Sequence, residues 1–255
     1  MGPKWIFVAG SLGILFFVLI FLGFVIGFDH TALVVSQKRL VPIYEVARDD
    51  QKIAITVDGV WGVELTPQLL SIFEEYGINI TFFFGGYWLE KYPEVLKQIS
   101  DAGHEIGNHS YTHPQSSRLS REDFRTELSK TQKLIEQTAG SQPLFFRPPF
   151  GDYNNQVIEV AREEGYQVIQ WSIDSLDWKE PGTDFIVRRI MENVKPGSII
   201  LMHNNAPDTP EALRILLPEL LKRGYEVVPL SELVFKENYR IESHSGRQVP
   251  LGGGE

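Results

Sequence analysis

From Lys52 to Leu233 short strand-like segments alternate with helical windows, and that alternation leaves the chain few folds. The strand candidates are Ile53–Val57, Ile80–Phe84, His104–Ile106, Leu144–Phe146, Gln167–Trp171, Ser198–Met202 and Tyr225–Val228. Each is rich in β-branched or aromatic residues and bounded by Gly, Pro or Asp. Thr66-Pro67 offers an N-cap and a first-turn proline for a helix over Gln68–Glu75, which Gly77 ends. Pro93 opens Glu94–Ala102, and Ser120 with Asp123 forms a capping box for Arg121–Ala139. Asn155–Glu164, Thr183–Val194 and Thr209–Arg223 complete the series. Seven β/α repeats predict a parallel sheet closed, or nearly closed, into a barrel. A doubly wound open sheet is the second choice.

The flanks differ in kind. Trp5–Phe28 is a run of 24 residues without Asp, Glu, Lys or Arg, long enough to cross a bilayer as a helix. No small-x-small cleavage site follows it, so residues 1–28 are expected to be a retained membrane anchor. The slight charge bias of Lys4 places the short N-terminus inside and the domain on the extracytoplasmic side of the cell membrane, as a single-pass protein. Residues 29–51 are expected to be a stalk and edge segment, 52–235 the barrel, and 236–255 a polar, disordered tail. What remains, about 200 residues, suffices for one large α/β domain.

Net charge is −9 and no basic block stands out, which argues against nucleic acid as a partner. The absence of cysteine excludes disulfides, thiolate metal sites and a cysteine nucleophile.

Reactive side chains gather just after the predicted strands. Asp58 follows the first, His109 the third with His113 four residues on, Arg147 the fourth, Asp174 the fifth and His203 the sixth. In a β/α barrel those positions share the rim where active sites are built. Taken singly, each has an ordinary structural explanation. His109-Ser-Tyr-Thr-His113 has metal-ligand spacing but equally suits two exposed histidines. Arg147-Pro-Pro-Phe150-Gly is a rigid turn, Asp174-Ser-Leu-Asp177-Trp178 a capping turn, and His203 a core histidine. Their convergence on one rim points to an enzyme.

Together, Thr56-Val-Asp58, His109-Ser-Tyr-Thr-His113, Arg147-Pro-Pro-Phe-Gly151, Asp174-Ser-Leu-Asp177-Trp178 and Leu201-Met-His203 resemble the polysaccharide deacetylases. This is the nodulation-protein-B homology domain, carbohydrate esterase family 4. Ile80-Thr-Phe-Phe-Phe84 and Gly103-His-Glu-Ile-Gly-Asn-His109 also look like that family, and Asp58-Gly-Val-Trp-Gly62 looks closest to its sporulation-associated branch. The resemblance implies a distorted (β/α)7 barrel, preceded here by one N-terminal transmembrane helix. It implies removal of N-acetyl groups from N-acetylglucosamine or N-acetylmuramic acid in cell-wall polysaccharide. It also implies a divalent metal, zinc or else cobalt or nickel, on His109 and His113. In that scheme Asp58 is the base, held anionic by Arg147. His203, tuned by Asp174, is the acid; the backbone N–H of Phe150 stabilises the oxyanion, and Trp178 forms part of the groove wall.

One departure matters. The family pattern has a second aspartate after the base, as a metal ligand, where this chain has Gly59. Three rescues are open: Asp58 ligates, Glu64 reaches in, or waters complete the shell. Two functions therefore stand, a metal-dependent N-deacetylase with weakened metal binding and a catalytically weak or silent relative that binds glycan.

Overall fold

The computed structural model describes residues 38–251. Eleven strands are described: β1 (Glu45–Val46), β2 (Lys52–Gly59), β3 (Thr81–Phe84), β4 (Glu105–Asn108), β5 (Phe145–Phe146), β6 (Gln167–Val168), β7 (Ile173–Asp174), β8 (Ile199–His203), β9 (Glu226–Val227), β10 (Tyr239–Ile241) and β11 (Arg247–Pro250). The helices are α1 (Thr66–Glu75), α2 (Gly86–Lys91), α3 (Pro93–Asp101), α4 (Arg121–Ala139), α5 (Asn155–Glu163), α6 (Thr183–Asn193), α7 (Thr209–Lys222) and α8 (Leu230–Leu233).

The main sheet runs β6-β5-β4-β3-β2-β8-β7 with every pair parallel, and β9 joins β2. Its two end strands are consecutive in the chain, linked by residues 169–172 without a helix. The sheet therefore curls into an open barrel whose seam lies between β6 and β7. The segment around Ile43 fills that seam. Ile43 bridges Ile169, donates its N–H to Val168 O at 2.9 Å and accepts from Gln170 N at 2.7 Å.

Two faces alternate along each strand, as the pleat requires. Ile53, Ile55 and Val57 of β2, with Phe82 and Phe84 of β3, pack against Leu69, Ile72 and Phe73 of α1 and Leu213, Leu216 and Leu220 of α7. Ala54 and Phe83 instead face Phe145, Ile169 and Ile199 inside the barrel. Asp58 continues the inward series of Ala54 and Thr56, while Gly59 continues the outward one.

The predicted strands and helices recur within a few residues, and Ser120 caps α4 by accepting the Asp123 N–H at 3.1 Å. Four expectations need correction. Over the described part of residues 29–51 the edge segment is present, as β1, but the stalk is not, because Val41, Ile43 and Val46 are buried in the barrel seam and its edge sheet. The tail is not disordered over 236–251: β10 and β11 form a hairpin whose second strand pairs with β1. Its polar character hides this, because Gln248 is fully buried with both amide atoms satisfied by Phe235 N and O, at 2.9 and 2.8 Å. Thr66 makes no cap bond; it is the first residue of α1, and its hydroxyl accepts from Asn204. The strand expected over Gln167–Trp171 ends at Val168 as β6, and a separate short strand, β7, begins beyond it at Ile173 on the other side of the seam.

Among the described residues no helix is long and apolar enough to cross a membrane. The apolar run Trp5–Phe28 lies outside the described residues.

Candidate active site

The carboxyl ends of the strands bring the reactive residues together around a cleft of about 460 Å³. Its walls include Asp58, His109, His113, Phe150, Asp174, Trp178 and His203, all selected by the sequence, together with Trp61 and Trp171. Asp58 and His203 are register partners on the adjacent strands β2 and β8, so two proton-carrying groups stand side by side.

Arg147 stands behind Asp58. It is fully buried, yet carries a full charge, so its surroundings must compensate. Nη1 donates to Asp58 Oδ1 at 2.7 Å and Nη2 to Gln170 O at 3.2 Å. The guanidinium also lies over the Phe83 ring at 4.2 Å. This fixes one oxygen of Asp58 and leaves Oδ2 toward the cleft, 3.6 Å from His109 Nε2.

His109 Nδ1 lies 2.7 Å from Arg147 O. A carbonyl only accepts, so Nδ1 carries a proton, and in the neutral ring Nε2 is the nitrogen with the lone pair. Burial lowers the His109 pKa, an effect that Asp58 opposes. Burial, then the neighbouring His109, holds His113 at about 3. Both rings are thus neutral at physiological pH.

The turn between them is strained and braced. Ser110 and His113 have φ of 63° and 57°, in the left-handed region that side chains disfavour. Glu127 of α4 holds the turn, accepting from Tyr111 N at 2.8 Å, Thr112 N at 2.7 Å and the Thr112 hydroxyl at 3.0 Å. Asn108 adds a bond from Ser110 N at 2.9 Å.

On the other side, His203 Nδ1 is 2.7 Å from Asp177 Oδ1. Asp177 is fully buried, and its Oδ2 accepts both the His203 N–H at 2.7 Å and the Thr209 hydroxyl at 2.6 Å. Burial pulls the His203 pKa down, but the bond and charge of Asp177 outweigh it and the net shift is upward. This corrects the expectation for Asp174. That carboxylate lines the cleft but accepts Leu176 N at 2.8 Å, and it reaches His203 only through space. The physical reason is the turn after β7: Leu176 adopts φ 61°, which curls the chain so that Asp177, not Asp174, comes back to the ring.

Aromatic rings form the mouth. Trp61, Phe150 and Trp178 are 61 %, 65 % and 54 % exposed, unusual for large apolar side chains and suited to stacking on a flat ligand. His113 is in edge contact with Trp61 and Phe150, centroids 5.0 and 4.4 Å apart. The sequence shows Trp61 only as part of Asp58-Gly-Val-Trp-Gly62; its place in the cleft wall is evident from the structure.

The donor set does not fit a resident metal. His109 and His113 provide two imidazoles with ring centroids 4.9 Å apart, and His113 Nδ1 is buried without a partner. Asp58 has one oxygen committed to Arg147. Glu64 is exposed and bonded to Val63 N at 2.9 Å, and it is not among the cleft residues. Among the described residues no group of three His, Cys, Asp or Glu side chains is placed to hold an ion.

The chain is similar to known proteins over about three quarters of its length, 76% and 75% for two relatives. A family model described as polysaccharide deacetylase matches residues 45–169. The chain is 35% identical over 193 residues to the uncharacterized protein YlxY of Bacillus subtilis, covering 76% of this chain and 60% of that one. It is 39% identical to a peptidoglycan-N-acetylglucosamine deacetylase of Bacillus cereus, covering 75% of this chain and 92% of the relative. Among solved structures, a carbohydrate esterase family 4 pseudoenzyme from Bacillus anthracis superposes with a TM-score of 0.74 at 35% identity, covering 76% of this chain and 68% of that chain. A mutant of that pseudoenzyme has restored enzymatic activity. With the open β/α barrel and the Asp58–Arg147 and His203–Asp177 pairs in place, these similarities establish that the chain belongs to the polysaccharide deacetylase family.

Proposed function

We propose that this chain binds N-acetylated cell-wall glycan, of the peptidoglycan class named for its Bacillus cereus relative, and removes N-acetyl groups as acetate. One observation carries the reading. The pairs Asp58–Arg147 and His203–Asp177 are both intact and meet the same cleft from adjacent strands. A module that only bound sugar would need neither a buried ion pair nor a tuned imidazole.

The chain's own residues divide the work. Asp58 Oδ2 takes a proton from the water that attacks the acetyl carbon, while Arg147 holds the carboxylate in place. His203, kept protonated toward neutral pH by Asp177, gives its proton to the departing amine as the C–N bond breaks. The backbone N–H of Phe150, a residue of the cleft wall, serves the oxyanion. Trp61 and Trp178 hold the sugar ring. The two-imidazole donor set lacks the third ligand on which the family's metal chemistry rests, so turnover is slow. The apolar run Trp5–Phe28 supports a single-pass anchor at the cell membrane, with the barrel facing the wall.

The second reading is a glycan-binding module without turnover. It is favoured by Gly59 and by the likeness to a pseudoenzyme. The two are separated by incubating the full chain with acetylated glucosamine oligomers and with peptidoglycan, with added zinc or cobalt and again with chelator. Both acetate and bound glycan are measured. Acetate release supports the hydrolase; glycan binding without acetate supports the module.

A further inference from the structure

Gly59 is not an empty place on an otherwise prepared frame. Its φ is not in the left-handed region, so the backbone there does not require glycine. The constraint is space. A Cβ on residue 59 would lie 2.4 and 2.6 Å from Cε1 and Cδ1 of Phe84, and 3.3 Å from Asn204 Cγ. Carbon atoms in contact sit about 3.5–4.0 Å apart. Gly59 and Phe84 are register partners on the parallel strands β2 and β3, and both belong to the outward series.

Phe84 is not free to turn aside. It is fully buried, stacked on Trp88 with centroids 4.1 Å apart and planes within 12°, and parallel to Phe82 at 5.6 Å. Trp88 is pinned in turn, its Nε1 donating to Gly62 O at 2.6 Å. Asn204 closes the remaining side, donating to the same carbonyl at 3.0 Å. The ring, the tryptophan and the loop that carries residues 59–62 form one packed block.

We infer that Gly59 and Phe84 are a coupled pair: the Phe84 ring occupies the volume that any side chain at residue 59, a metal ligand included, would have to enter. The pair, and not residue 59 alone, holds the site at two imidazole donors. A ligand is regained there only if residue 84 becomes smaller at the same time. The identity of the lost donor rests on the deacetylase reading above; the packing relation does not.

The test uses the full chain and two readouts that do not involve acetate. In the first, thermal unfolding is measured for Gly59→Ala, Phe84→Val and the double variant. Gly59→Ala is expected to lower Tm in the wild-type background and to have little further effect beside Phe84→Val. Equal Tm losses from Gly59→Ala in both backgrounds would overturn the pairing. In the second, zinc or cobalt alone is titrated into Gly59→Asp and Gly59→Asp/Phe84→Val. Gly59→Asp alone is expected to bind no tighter than wild type. The double variant should bind one ion per chain with more than about tenfold gain, since even an outer-shell partner is worth that much. A single Gly59→Asp change that tightens binding as much as the double, or a folded double that gains nothing, contradicts the inference. If the double aspartate variant does not fold, the alanine–valine cycle decides. A protein with no deacetylase activity would still show both effects, so failure of the functional reading is separable.

Discussion

Asp177 grips His203 twice: Oδ1 lies 2.7 Å from the imidazole Nδ1, and Oδ2 accepts the same residue's backbone N–H at 2.7 Å. One carboxylate thereby sets the ring's position, its tautomer and its charge, and leaves Nε2 as the ring nitrogen available to the cleft.

That relationship has a pH signature. The folded His203 pKa is raised, so its stabilising contribution is complete below about 6.5 and is lost as pH rises through the folded value. Asp177 is lowered: burial opposes this, but the bond and charge of His203 prevail. Its contribution is present above about 3.9 and is lost as pH falls through the folded value. Asp177→Asn should therefore move the His203 titration to lower pH, followed by NMR of the imidazole, and pull in the alkaline limb of acetate release. Asp174→Asn, whose carboxylate makes no bond to the ring, should move it much less. Equal shifts would reverse the assignment.

Arg147 is a buried charge whose partner is only 6 % exposed. Arg147→Ala strands the Asp58 carboxylate, with an expected loss of about 3–5 kcal/mol in denaturant unfolding. Arg147→Lys keeps the charge but cannot serve both Asp58 and Gln170 O, so it should fall between Ala and wild type.

Glu127 touches nothing in the cleft, yet it accepts three hydrogen bonds from the turn that carries His113. Glu127→Ala should cost about 1–3 kcal/mol of stability. It should also loosen the turn itself, read as faster amide exchange over residues 110–113, because Ser110 and His113 would relax from positive φ. Unchanged exchange there in a destabilised variant would show that Glu127 does not hold the turn.

Trp61 and Trp178 are exposed, so Trp61→Ala and Trp178→Ala should each change stability by no more than about 0.5 kcal/mol. If the rings stack on sugar, each change should weaken binding of acetylated glucosamine oligomers by on the order of 1 kcal/mol, measured calorimetrically.

Much of this was legible in the residues. The strand–helix alternation determined the β/α architecture, and the Ser120 cap held because it is local, whereas the Thr66 hydroxyl is engaged by the distant Asn204 instead. The rim residues were found because active groups follow strands in such folds. What escaped depended on long-range shape. Asp174 and Asp177 lie three residues apart, and only the left-handed Leu176 decides which of them reaches His203. The tail read as disordered because its burial rests on Gln248 bonding to Phe235, a contact that composition does not reveal. The cost of a side chain at residue 59 lies in Phe84, twenty-five positions away in sequence and adjacent only once β2 and β3 pair.

The most direct measurement is acetate release from acetylated glucosamine oligomers by the full chain, beside its Asp58→Asn and His203→Ala variants, with folding checked by circular dichroism. Expected is slow release by the wild type, reduced at least about 100-fold in each variant. An Asp58→Asn protein that releases acetate as fast as wild type, or a folded wild type that binds the oligomer and releases none, would contradict hydrolysis by these residues.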